Sequence, residues 1–152
     1  MRFTPKAVVE SRARRLSVHA YDGDYFHILV AESAAKLQSL GVMVNLGDHG
    51  QRQGLGAHWD LWSLAQGGAS NHDVLKMGTI SPASYLGLDP LMGSVKVGKL
   101  ADLVVLDANP LEDIHNTNSV HWTIKNGEVF DASTMDEIYP ERIERGPFVW
   151  EE

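Results

Sequence analysis

The 152-residue sequence contains no cysteine. That excludes disulfides, thiolate metal sites and a cysteine nucleophile, and leaves the compartment open. No apolar run approaches the roughly 20 residues that span a bilayer, so no membrane partner is expected. The N-terminal MRFTPKAVVESRARR is basic but lacks the apolar stretch of a secretory signal; this polypeptide shows no export address, and where its parent protein resides stays open. Positive charge is also short. Thirteen Lys and Arg face 20 Asp and Glu for a net charge of −7, which argues against nucleic acid, whose binding rests on cationic contacts to phosphate. The basic cluster Arg12, Arg14 and Arg15 reads as a solvated loop or as ion-pair partners in an acidic protein. A GxSxG elbow, a Walker-type phosphate loop and a GxGxxG turn are all missing. No repeat and no low-complexity tract is present, and Gly and Pro are not pooled into a linker.

What is present suits one ordinary domain: 43% of the residues are hydrophobic, enough for a core at this length. Met1 to Gly23 shows no sustained period and reads as a connecting arm. Asp22 or Asp24 can cap a helix in which Phe26, Leu29, Val30, Ala34, Leu37 and Leu40 recur at helical spacing, ended by Gly41. Val42 to Leu46 is a short apolar run suited to a strand buried on both faces. The Gly-rich, polar segment Gly47 to Gly56 follows it, where α/β barrels place their chemistry. Helices are expected from about Ala57 to Gln66, from a Ser70/Asp73 capping box through Met77, and from Ser81-Pro82 to Gly87. After Gly93 the period changes. Leu103–Leu106 reads as a strand, and Val120, Trp122 and Ile124 alternate with polar residues before an Asn126-Gly127 hairpin turn. The tail from Asp131 reads as acidic and irregular, with Met135, Ile138 and Tyr139 available for packing.

Gly93 to Pro110 reads GSVKVGKLADLVVLDANP; before it, in order, stand GVMVNLGDHG (Gly41–Gly50), HWDLWSLAQGGAS (His58–Ser70) and VLKMGTISPASYLGLD (Val74–Asp89). Together they resemble the closing part of the amidohydrolase superfamily of metal-dependent hydrolases, most of all the large members linked to a β-propeller. The resemblance runs from about Arg2 to Pro140. It implies an α/β fold: the C-terminal fragment of a (β/α)8 barrel, then strands of a small β-sandwich. Residues 1–92 would hold an arm and the barrel's last strand and helices, 93–140 the sandwich strands and hairpin, and 141–152 a tail.

The resemblance also implies a site. The family usually ends its last barrel strand with Gly, one residue and Asp, the Asp touching the metal or taking a proton from metal-bound water. Gly47-Asp48-His49 puts His at that position and Asp one residue early. His49 as ligand with Asp48 as base, or Asp48 orienting His49, both remain open, beside a plain turn-capping role. His58 would line the mouth of the site, or cap its helix or pack on Trp59. Arg52, beside Gln51 and Gln53, would bind a substrate carboxylate or simply face solvent. His19, His27, His72, His115 and His121 lack metal-like spacing and read as surface or partly buried residues. Asp107, Glu112 and Asp113 read as turn and cap residues around Asn109-Pro110.

By the same resemblance, the complete enzyme uses zinc or another divalent metal to hydrolyse an amide C–N bond. Family substrates include cyclic amides, N-acyl amino acids and proline dipeptides. The other metal ligands, a His-x-His pair, a lysine or acid and two histidines, are expected upstream of residue 1. This chain alone is therefore expected to bind no stoichiometric metal and to pair with an upstream barrel half or another copy of itself. The alternative is a noncatalytic assembly module that keeps the end of the fold.

Overall fold

A computed structural model describes residues 4–13, 21, 25–49 and 54–151. The chain divides into two compact units, residues 27–145 and a smaller one of residues 1–26 with 146–152. In the smaller unit, α1 spans Lys6–Ala13, where the sequence reads as a connecting arm. Its signals are Pro5 at the helix entry and Lys6 paired with Glu10 one turn later at 3.5 Å. Near the C-terminus the Phe148 and Trp150 rings stack at 4.5 Å.

α2 spans Phe26–Ser39, and the larger unit begins at its second residue, His27. This helix packs by its alanines: Ala31 is buried, and a Cβ added at Gly67 would lie 2.1 Å from the Ala31 carbonyl carbon. Leu29, Val30, Leu37 and Leu40 are exposed. The periodic apolar residues thus mark the helix correctly but lie outside its packed side.

Val42 to Leu46 corrects the expectation of a buried strand. It pairs with no strand among the described residues, and Val42 and Met43 are exposed. Its backbone bonds run elsewhere, Val44 N–H to Gln38 Oε1 at 3.2 Å and Leu46 N–H to the Met77 carbonyl at 2.9 Å. A strand needs a neighbour to take its ladder bonds, and here a helix side chain and a helix end take that place.

Three helices follow: α3 Leu55–Gln66, α4 Asn71–Met77 and α5 Ile80–Tyr85. Ser70 caps α4 as expected, its Oγ accepting the Asp73 N–H at 3.1 Å. Val74 and Met77 are fully buried between the helices. Lys99 pins the following loop, its Nζ donating to the Asp89 carbonyl, the Met92 carbonyl at 3.1 Å and Ser94 Oγ at 2.7 Å.

The rest is a four-stranded antiparallel sheet in sequence order: β1 Leu103–Leu106, β2 Val120–Lys125, β3 Glu128–Asp131 and β4 Glu137–Tyr139. The β2–β3 hairpin turns at Asn126-Gly127, both at positive φ (51° and 89°), as a two-residue turn of the primed type requires. β4 corrects the irregular tail. Asp131 makes the turn that returns the chain, its carboxylate accepting from Ser133 and Thr134. These bonds hold its pKa below the ordinary value. Between β1 and β2, Asp113 caps a 3-10 helix, Ile114–Asn118.

Candidate active site

Asp48 follows the Asn45–Gly47 stretch that runs beside α3, and its half-buried carboxylate lies directly over Gly56 in the first turn of that helix. A side chain at position 56 would collide with it, since a Cβ there would sit 2.0 Å from Asp48 Oδ1 and 2.9 Å from Oδ2. The N-terminal turn of a 12-residue helix is a favourable place for an anion. One turn further on the same side stands Asp60, whose pKa is raised, first by burial and then by the charge of Asp48. The arrangement therefore joins one carboxylate seated at a helix start to a second carboxyl that resists ionising.

Asp60 also lines a cleft of about 360 Å³ between α2, the Asn45–Gly47 stretch and α3. Val30, Ala31 and Leu46 give it apolar walls, and the side-chain oxygen of Asn45 is buried with no hydrogen-bond partner among the described residues. His27 stands at its edge, 3.1 Å from Gln66 Oε1.

His58 goes to another side of α3. Two residues from Gly56 is about 200° around the helix, so Gly56 and Asp60 share one face while His58 and Trp62 share another. The His58 ring lies 6.4 Å from Trp62, its Nδ1 is buried with no hydrogen-bond partner among the described residues, and burial lowers its pKa from 6.5. Trp62 donates its indole N–H to the Ile114 carbonyl at 3.1 Å and to Thr117 Oγ1 at 3.0 Å, and its ring meets His115 at 4.7 Å. This side of α3 is a clasp onto the 3-10 helix.

His49 is exposed and holds a positive φ of 59°. Gly50 to Gln53, including Arg52, lie outside the described residues, as do His19, Asp22 and Asp24. The described histidines without metal spacing are surface groups: His72 is exposed, while His115 and His121 pair with Asp113 at 2.8 Å and Asp107 at 2.9 Å. Asp113 holds a pKa below the ordinary value through the backbone and ring N–H groups of His115. Asp107, Glu112 and Asp113 all make local bonds, Glu112 accepting from Asn109 at 3.1 Å.

Three ligands are usual for a catalytic zinc. No group of three His, Cys, Asp or Glu side chains suited to a metal comes together among the described residues.

The family model described as the amidohydrolase family matches residues 31–130. The chain belongs to the amidohydrolase family. It is 39% identical over 70 residues to 5'-deoxyadenosine deaminase of Methanobrevibacter smithii, a stretch covering 44% of this chain and 16% of that protein. Over 60 residues it is 40% identical to imidazolonepropionase of Thermoplasma acidophilum, covering 38% of this chain and 15% of the relative. Among solved structures, a Xaa-Pro dipeptidase with methionine bound in its active site superposes with a TM-score of 0.61 at 26% identity, over 68% of this chain and 26% of that one. Molinate hydrolase gives a TM-score of 0.57 at 28% identity, over 66% and 26%. The chain thus spans about a quarter or less of each of these relatives.

No helix among the described residues is long and apolar enough to cross a membrane. Asp60 and Gly56 escape a motif-based reading of the sequence. Their signal is the four-residue spacing on a helix that follows Asp48 directly, and it acquires meaning only once Asp48 is seen folded over that face.

Proposed function

We propose that this chain is the C-terminal part of a metal-dependent amidohydrolase acting on the amide C–N bond of a small molecule or dipeptide. Residues 1–92 would hold an N-terminal arm and the closing part of its (β/α)8 barrel, 93–140 the strands of the small sandwich and 141–152 a tail. The observation that carries the reading is the seat of Asp48, a carboxylate held over the first turn of α3, one residue before the position, here His49, at which the family usually has its acid–base Asp. There Asp48 takes a proton from the attacking water and delivers it to the leaving nitrogen. Gly56 leaves room for that carboxylate, and the charge of Asp48 adds to burial in raising the pKa of Asp60. A divalent metal, zinc foremost, would supply Lewis-acid activation of the water; His49 is the residue here able to contribute to its shell, and the remaining ligands would come from further barrel strands. Arg52 is the candidate partner for a substrate carboxylate. His58 supports α3 through Trp62, which favours a packing role over direct substrate contact.

The test uses the assembled enzyme, this segment together with the rest of the barrel, assayed on Xaa-Pro dipeptides and N-acyl amino acids. Asp48→Asn is expected to lower turnover by about a hundredfold or more, the usual effect of losing an acid–base group. His49→Ala should lower both turnover and bound metal. Near-normal turnover in both variants would refute the assignment and favour the noncatalytic assembly reading.

A further inference from the structure

A second cleft, of about 610 Å³, opens between α4, α5 and the Asp89–Lys99 loop. It shares no lining residue with the Asp48–Asp60 site. Its walls carry Lys76, Lys96, Lys99 and His72 against a single carboxylate, Asp89. Lys76 is partly neutralised by Asp73 at 3.2 Å. The other two lysines form no ion pair among the described residues. The Lys99 ammonium is held by carbonyl and hydroxyl oxygens alone, so its hydrogen bonds are satisfied while its charge is not cancelled. In a chain of net charge −7, this local positive excess runs against the whole.

The loop adds a second feature. The backbone N–H groups of Gly93, Ser94 and Lys96, three lining residues, find no acceptor among the described residues. Successive unbonded amides beside a Gly at positive φ, here Gly93 at 85°, make a concavity suited to anions. These amides belong to residues on the same wall as the lysines. Leu75 and Ile80 provide an apolar floor beside them.

We propose that this cleft binds a small oxyanion, a carboxylate or a phosphate, through the Gly93–Lys96 amides and the Lys96 ammonium, with any apolar part of the ligand resting on Leu75 and Ile80. The ammonium of Lys99 fixes the loop and contributes field, and the exposed Lys96 supplies the charge that pairs with the ligand. The site stands independently of the catalytic reading.

The experiment is an amide-resolved NMR titration of the full chain at constant ionic strength, with inorganic phosphate in one arm and butyrate in the other. The expected result is a saturable shift confined to Gly93–Lys96 and its neighbours. Lys96→Gln should weaken it about tenfold, the worth of one charge-assisted hydrogen bond, and Lys96→Arg should restore it. Tighter phosphate binding would assign a phosphoryl ligand, and tighter butyrate binding a carboxylate. Lys96 is exposed, so its variants should fold. The same non-saturating drift with sodium chloride, or shifts indifferent to Lys96→Gln, would overturn the proposal.

Discussion

The carboxylate of Asp48 fills the space that a side chain at Gly56 would need, with Oδ1 only 2.0 Å from where a Cβ would stand. The glycine and the acid therefore depend on each other. Glycine in the first turn of a helix is a poor helix former, and its presence here has a steric reason.

Gly56→Ala decides between two opposed effects. Intrinsic propensity would stabilise the helix by about 1 kcal/mol. Collision with Asp48 should outweigh it and destabilise the fold by about 1–3 kcal/mol, as overpacking usually does. Urea denaturation measures the balance. Asp48→Ala in the Gly56→Ala background should recover most of the loss, because the two changes share one contact. A stabilised single variant would show that Asp48 does not occupy this space.

The raised pKa of Asp60 has a signed consequence. Burial, then the Asp48 charge, favours its neutral form in the folded chain. Its contribution to stability is thus fully present below the ordinary value of 3.8 and is lost as pH rises through the folded value. Asp60→Asn should stabilise the chain at neutral pH, with the gain vanishing below the ordinary carboxylate value. His58 runs the other way: burial depresses its pKa, so its contribution is present above 6.5 and is lost as pH falls through the lowered folded value. Denaturation across pH checks both. A gain from Asp60→Asn that persists unchanged at acid pH would contradict the Asp60 account.

Much of the helical and hairpin order was legible in the sequence because its signals are local. Ser70 with Asp73, Pro82 ahead of Gly87, and Asn126-Gly127 each specify their turn through nearest neighbours. Val42–Leu46 misled because an apolar run says what a strand would bury and not whether a partner strand is there. β4 was hidden because three residues are too few for a period, and its placement rests on the Asp131 turn. At the site, Asp48 was named from a family pattern that it meets only one residue early. The separation of Asp48 from His58 was not legible, since it follows from helical phase: residues 56 and 60 share a side, and 58 and 62 share another.

Trp62 should be the strongest tie between α3 and the 3-10 helix. Its indole N–H serves two acceptors on buried residues, Ile114 and Thr117, each 5% exposed. Trp62→Phe keeps most of the ring but removes the donor, and should cost about 1–3 kcal/mol, the penalty for leaving buried acceptors unpaired. Thr117→Val should cost less, because the Ile114 carbonyl still accepts. Equal stability of wild type and Trp62→Phe by urea denaturation would mean that packing alone holds the clasp.

The outward leucines of α2 lead to a prediction about assembly. Leu29, Val30 and Leu40 are 58%, 68% and 71% exposed, and Val42 and Met43 beside them are about half exposed. Exposed apolar side chains in this number on one helix and the segment after it are of the kind found at interfaces. The inner side of the helix is already used, through Ala31 against Gly67, so the leucines are not needed to hold α2 in place. The chain alone should therefore self-associate, and light scattering should give a mass above that of one chain. Leu29→Glu with Leu40→Lys should shift the mass to that of a monomer while leaving the urea midpoint of the α3–sheet core unchanged, because neither side chain enters that core. A monodisperse monomer for the unmodified chain, with no binding of a hydrophobic dye, would show that this face is satisfied within the chain and would remove the case for a partner at α2.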